Sequence, residues 1–93
     1  MNYLKEYNLN DDDIKEIIDN IDDADYNEYV TKEDKIKSIL DYFKSIGITN
    51  LKDLLMNKSY LFYETLEVIK NRIRKELVTY INEDIAYLYN IVI

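Results

Sequence analysis

The sequence has no cysteine, histidine, proline or tryptophan, and its only glycine is Gly47. Without Cys there is no disulfide, and without Cys or His the usual zinc ligand sets cannot be built. The same absences remove thiol nucleophiles and imidazole proton shuttles, the commonest reactive groups at neutral pH. No Gly-rich phosphate loop, nucleophile elbow or metalloprotease motif is present either. No catalytic residue, metal ligand or cofactor is therefore assigned, and the chain reads as a non-enzyme. No apolar run is long enough to span a membrane, and the opening Met-Asn-Tyr-Leu-Lys-Glu lacks the basic and apolar regions of a signal peptide. The expectation is a cytoplasmic protein with no membrane partner.

What the chain does have is charge, unevenly placed. Its 93 residues fit one helical domain over 1–93, and 47% hydrophobic content is enough for a modest core. Nineteen acids against twelve bases give a net charge of -7. Residues 1–34 hold twelve acids and three bases, a net of -9, whereas residues 35–93 hold seven acids and nine bases, a net of +2. Such a dipolar molecule opposes general binding to phosphate backbones and could present an anionic face to a basic protein. The ten Tyr residues are suited to interfaces. The abundance of Asn, Ile, Lys and Tyr is also what AT-rich coding sequence produces, so Tyr content alone is no functional signal.

Caps and periodicity predict an all-α fold, a compact bundle of about five helices. Asn10 caps a first helix running to about Asp22, with Asp11, Asp12 and Asp13 in its first turn and Ile14, Ile17, Ile18 and Ile21 along one stripe. Thr31 with Glu33 and Asp34 has the form of a capping box opening a second helix, which turns Ile36, Ile39, Leu40, Phe43 and Ile46 inward and stops at Gly47. Thr49 or Asn50 caps a short third helix carrying Leu51, Leu54 and Leu55. Ser59 opens a long fourth helix, the spine of the bundle, along the seam Phe62, Leu66, Ile69, Ile73, Leu77 and Tyr80. A break near Ile81 precedes a final helix to Ile93.

Between the first two helices, Asp23, Asp25, Asn27, the Tyr29 carbonyl, Thr31 and Asp34 fall at the six ligand positions of a calcium-binding helix-loop-helix. Glu28 stands where that loop needs Gly, and Asp34 where it needs a bidentate Glu. A polar interhelical loop ending in a Thr31 cap is the preferred reading. Lys70, Arg72, Arg74 and Lys75 form a basic cluster, with Lys70 and Arg74 on one helix face. Residues Ile85 to Ile93 carry no charge. They are expected to pack back onto the fourth helix as core through Ile85, Leu88 and Val92, the alternative being a homodimer or partner interface.

Residues 14–43, from Ile14 through Asp25 and on through the Glu33–Phe43 helix, resemble the first two helices of the DNase-colicin immunity proteins, small acidic helical inhibitors that dock on a basic toxin. The resemblance implies contact through acids of the second helix, here Glu33, Asp34 and Asp41. It also implies contact through a Tyr pair for which Tyr60-Leu61-Phe62-Tyr63 is a loose analogue. Residues 40–75 separately resemble one repeat of the mitochondrial transcription termination factor family: a helix, Gly47-Ile48, a short helix through Leu54-Leu55, then a longer helix beginning Tyr60-Leu61-Phe62. That resemblance implies helical-repeat packing and nucleic-acid binding, against which the net charge argues.

The leading expectation is a small acidic module that inhibits or sequesters a basic protein, of the immunity, antitoxin or phage-inhibitor type. Its predicted contact residues are Asp22, Asp23, Asp25, Tyr26, Glu28 and Tyr29. The alternatives are a nucleic-acid-binding repeat using Lys70 and Arg74, and a protein that self-associates through its apolar C-terminus.

Overall fold

A computed structural model describes residues 1–72; among these every regular element is helical and there is no strand. The chain opens with a 3-10 helix, Asn2–Tyr7, which buries Tyr3, Leu4 and Tyr7 and ends at Asn8 in the left-handed conformation (φ 64°). Asn is one of the few side chains that tolerates this geometry. Tyr7 donates its hydroxyl to Asp41 Oδ1 (2.8 Å) and to the Lys37 carbonyl (3.2 Å), which ties the N-terminus to a helix more than thirty residues away. Burial pushes the Tyr7 phenol well above its ordinary range, and the bond to Asp41 adds to the shift. No cap or periodicity in the sequence marks this segment as an element.

Helix α1, Asp11–Asn20, starts with the expected cap, here a complete capping box. Asn10 Oδ1 accepts from the Asp13 N–H (2.8 Å), and Asp13 Oδ2 accepts from the Asn10 N–H (3.0 Å). Ile14 and Ile17 are buried, Ile21 packs at the core's edge, and Ile18 is 38% exposed.

The next segment corrects the interhelical loop. Asp23–Thr31 is a helix, α2, so α1 ends at Asn20 and Asp22 caps α2 instead of closing α1. Asp22 Oδ1 accepts from the Asp25 N–H at 2.8 Å. Thr31 lies in the last turn of α2, where its hydroxyl donates to the Asn27 carbonyl (2.7 Å); it caps nothing. Helix α3, Glu33–Ser45, follows after Lys32, which supplies no side-chain cap bond.

Helix α3 buries Ile36, Ile39, Leu40 and Phe43. It ends as expected at Gly47, whose positive φ (94°) favours a residue without Cβ. The Gly47 N–H bonds the Lys44 carbonyl (3.1 Å) and the Ile48 N–H bonds the Phe43 carbonyl (3.0 Å). These paired reverse bonds satisfy the last helical acceptors, and the buried Ile48 completes the motif. Helix α4, Leu51–Asn57, buries Leu51, Leu54 and Leu55 as predicted, although Asn50 precedes it without a side-chain cap bond.

The fourth helix does not begin at Ser59. Ser59–Tyr63 forms a second 3-10 helix that buries Leu61 and Phe62; Glu64 is extended, and α5 spans Leu66–Arg72. Thr65 Oγ1 accepts from the Val68 N–H (3.3 Å), which accounts for the restart. Phe62 is therefore offset from the helix that carries Ile69, which is also buried. The remainder of the proposed spine, the final helix and the apolar C-terminal stretch lie outside the described residues.

The core centres on three rings. Phe62 meets Tyr29 edge to face at 5.8 Å between centroids and Phe43 at 6.0 Å. Such pairs add about 0.5–1.5 kcal/mol beyond area burial. Around them α1 packs on α4, α4 on the second 3-10 helix, α3 on α5, and the N-terminal 3-10 helix on α1 and α3. Helix α2 packs on α3, and its attachment shapes the candidate site.

Candidate partner-binding surface

Helix α2 carries five of the six predicted contact residues, with Asp22 as its cap, and the structure sorts them by depth. Tyr29 is fully buried and is withdrawn as a contact residue. Its ring lies on Phe62, its hydroxyl donates to the Leu55 carbonyl (2.8 Å), and its own carbonyl accepts the Tyr3 hydroxyl (2.6 Å). Desolvation raises both phenols well above their ordinary range, with nearby acids adding to the shift. Tyr29 is thus the anchor that fixes α2 to α4 and to the N-terminal segment.

One turn earlier, at the rim, Asp25 accepts a hydrogen bond from the Tyr63 hydroxyl at 2.7 Å. That bond, helped by desolvation and neighbouring acids, holds the Tyr63 phenol up to about 12. Glu28 forms an ion pair with Lys35, whose ammonium also lies 5.9 Å from the centroid of the Tyr63 ring. Asp25 and Glu28 therefore join α2 to the second 3-10 helix and to α3. Lys35 could not be placed in this group from sequence, because it lies on α3, across the Lys32 break from Glu28 and far in sequence from Tyr63.

Asp22, Asp23 and Tyr26 face solvent. Asp22 is committed to capping, while Tyr26 is 45% exposed. Five of the six oxygen donors proposed for a cation are spread around α2 and the sixth, Asp34, stands on α3, while the Tyr29 carbonyl is taken by Tyr3. No cluster of three or more acidic side chains suited to a metal occurs among the described residues.

Internal pairing thins the acidic end selectively. Lys5 pairs with Asp11 (2.9 Å), Lys37 with Glu6 (3.1 Å), and Lys52 with both Asp13 and Glu16 (3.1 Å each). The Asn10 N–H and then Lys52 hold the Asp13 carboxyl below its ordinary range, while Asp13 and Glu16 raise the Lys52 ammonium. Five of the twelve acids in residues 1–34 are thus ion-paired and Asp25 serves Tyr63. The other six, Asp12, Asp19, Asp22, Asp23, Glu33 and Asp34, are all exposed. Five of these six lie close to the two ends of α2 in sequence: Asp19, Asp22 and Asp23 before or at its start, Glu33 and Asp34 just past its end.

The basic cluster is only partly described. Lys70 lies 5.4 Å from the centroid of the Tyr42 ring, a cation–π contact between α5 and α3. Arg74 and Lys75 lie outside the described residues. No helix among those described is long and apolar enough to cross a membrane. No known protein family, curated protein or solved structure matches the chain.

Proposed function

We propose that the protein is a small acidic helical binding module that inhibits or sequesters a basic protein, in the manner of an immunity protein, an antitoxin or a phage inhibitor. The observation that carries this reading is the set of exposed acids gathered at the two ends of α2. Other acids of residues 1–34 are ion-paired with Lys5, Lys37, Lys35 or Lys52, whereas of these only Asp22 has a structural task, as the cap of α2. Acids without a partner repel one another at a small cost to the folded state, and a basic partner relieves that repulsion. Their field speeds encounter, and exposed rings such as Tyr26 supply apolar contact once the surfaces meet.

The test is capture from a lysate of the native host at low salt, comparing the wild-type chain with an Asp19→Lys, Asp23→Lys, Asp34→Lys variant. These positions avoid the Asp22 cap and the Asp25–Tyr63 bond. The expected result is loss of a basic protein from the captured material while circular dichroism stays unchanged. Equal capture by the two folded chains would rule the reading out.

A further inference from the structure

Helix α2 buries one side chain of nine, and its outer stripe has no role in the core. Asp23, Tyr26, Asn27 and Val30, spaced i, i+3, i+4 and i+7, all face solvent. Tyr26 is 45% exposed and Val30 43%, two of the five large apolar side chains left exposed among the described residues. An exposed Val is a poor choice for helix stability, since its branched Cβ loses rotamer freedom there. Neither residue contributes to the core that Tyr29 anchors.

The strip has acids at both ends. Asp22 and Asp23 stand at the start of α2, which is about 13 Å long, and past the exposed Lys32 the exposed Glu33 and Asp34 open α3. This arrangement discriminates between occupants. A second copy laid on the strip, parallel or antiparallel, would bring acid against acid at both ends. A segment with an apolar centre and Lys or Arg at its ends would instead set cations against these acids and apolar side chains against Tyr26 and Val30.

We infer that the Asp23–Tyr26–Val30 face of α2 is the docking strip for an amphipathic helical segment of the basic partner, whose apolar side chains lie on Tyr26 and Val30 and whose flanking cations meet Asp23 and Glu33 or Asp34. The inference rests on the basic-partner reading and sharpens it. Asp25, Glu28 and Tyr29 become structural supports, and Val30 joins the contact set.

The experiment titrates the full-length, 15N-labelled chain with a synthetic helical peptide that has leucines on one face and lysines and arginines at both ends. A scrambled peptide of equal charge is the control. The expected result is amide shifts centred on Asp23 to Asp34, with affinity at least about tenfold weaker for the scrambled peptide and for the Val30→Asp chain. Tyr26→Ala is the second variant, and both sites are exposed, so folding is checked readily by circular dichroism. Equal binding by wild type, Val30→Asp and Tyr26→Ala overturns the strip. So do shifts centred on Asp11 to Lys15, or self-association through α2 without peptide; in all these cases the charge reading survives if the triple Lys variant still loses capture. If neither peptide binds at low salt the strip also falls, and undiminished capture by the triple variant then places the failure in the underlying reading.

Discussion

Helices α2 and α3 follow one another with only Lys32 between them, and they are held in opposite ways. Helix α3 buries Ile36, Ile39, Leu40 and Phe43 along a continuous apolar face, so its position is set by area removed from water. Helix α2 buries Tyr29 alone, is capped by Asp22, and is otherwise attached by the Tyr3 hydroxyl on the Tyr29 carbonyl, the Tyr63–Asp25 hydrogen bond and the Glu28–Lys35 pair. A helix fixed by one anchor and rim contacts keeps most of its surface for other uses. The outer faces carry the same message, because α3 shows solvent mainly charged and polar side chains whereas α2 also shows Tyr26 and Val30.

The sharpest way to break this comparison is at its single anchor. Tyr29→Ala is expected to cost about 3–5 kcal/mol in urea unfolding, and Tyr26→Ala, three residues away, to fall within about 0.5 kcal/mol of wild type. Similar losses at the two positions would show that α2 is not anchored through one ring. Asp22→Ala removes the cap and should cost about 1 kcal/mol, with the loss in hydrogen-exchange protection confined to the first turns of α2. Tyr63→Phe keeps the ring and removes the hydroxyl, for less than about 1 kcal/mol. Its signature is a Tyr63-specific change: the titration near pH 12 disappears from the phenol spectrum.

The smallest effect lies at α1. Because Asp13 is held below its ordinary range, its carboxylate stabilises the folded chain above that range and ceases to do so as pH falls through its folded-state value. Asp13→Asn is therefore expected to lower the neutral plateau slightly and to make the acid limb of the stability profile shallower, so that the two chains converge at low pH. An acid limb identical to wild type would remove Asp13 from the account.

Elements with one of two signals were readable from sequence. Helices α1, α3 and α4 each show apolar residues at helical spacing, and the Asn10 cap and Gly47 stop mark two boundaries by local chemistry alone. Helix α2 shows neither periodicity nor strong propensity. Asp, Asn, Tyr, Val and Thr are indifferent helix formers, and one buried residue makes no stripe. Its one legible mark is Asp22, a good cap followed by acids, which the isoleucine stripe ending at Ile21 draws into the end of α1 instead. The 3-10 helix at Asn2–Tyr7 depends on hydroxyl bonds to Asp41 and the Tyr29 carbonyl, partners too distant in sequence to infer. The break at Glu64 was hidden by a seam that reads as continuous because Phe62 and Ile69 are both buried, from different elements. For the site, sequence found the acidic end but not its division, since which acids are paired depends on Lys35 and Lys52 meeting them in three dimensions.

The central claim is that the acids left exposed around α2 recruit a basic partner. The association rate with the captured partner, followed against ionic strength for wild type and for the Asp19→Lys, Asp23→Lys, Asp34→Lys chain, tests it most directly. The account predicts a wild-type rate that falls steeply as salt is raised and a variant rate that is low and nearly flat. Equal rates with the same salt dependence would contradict it.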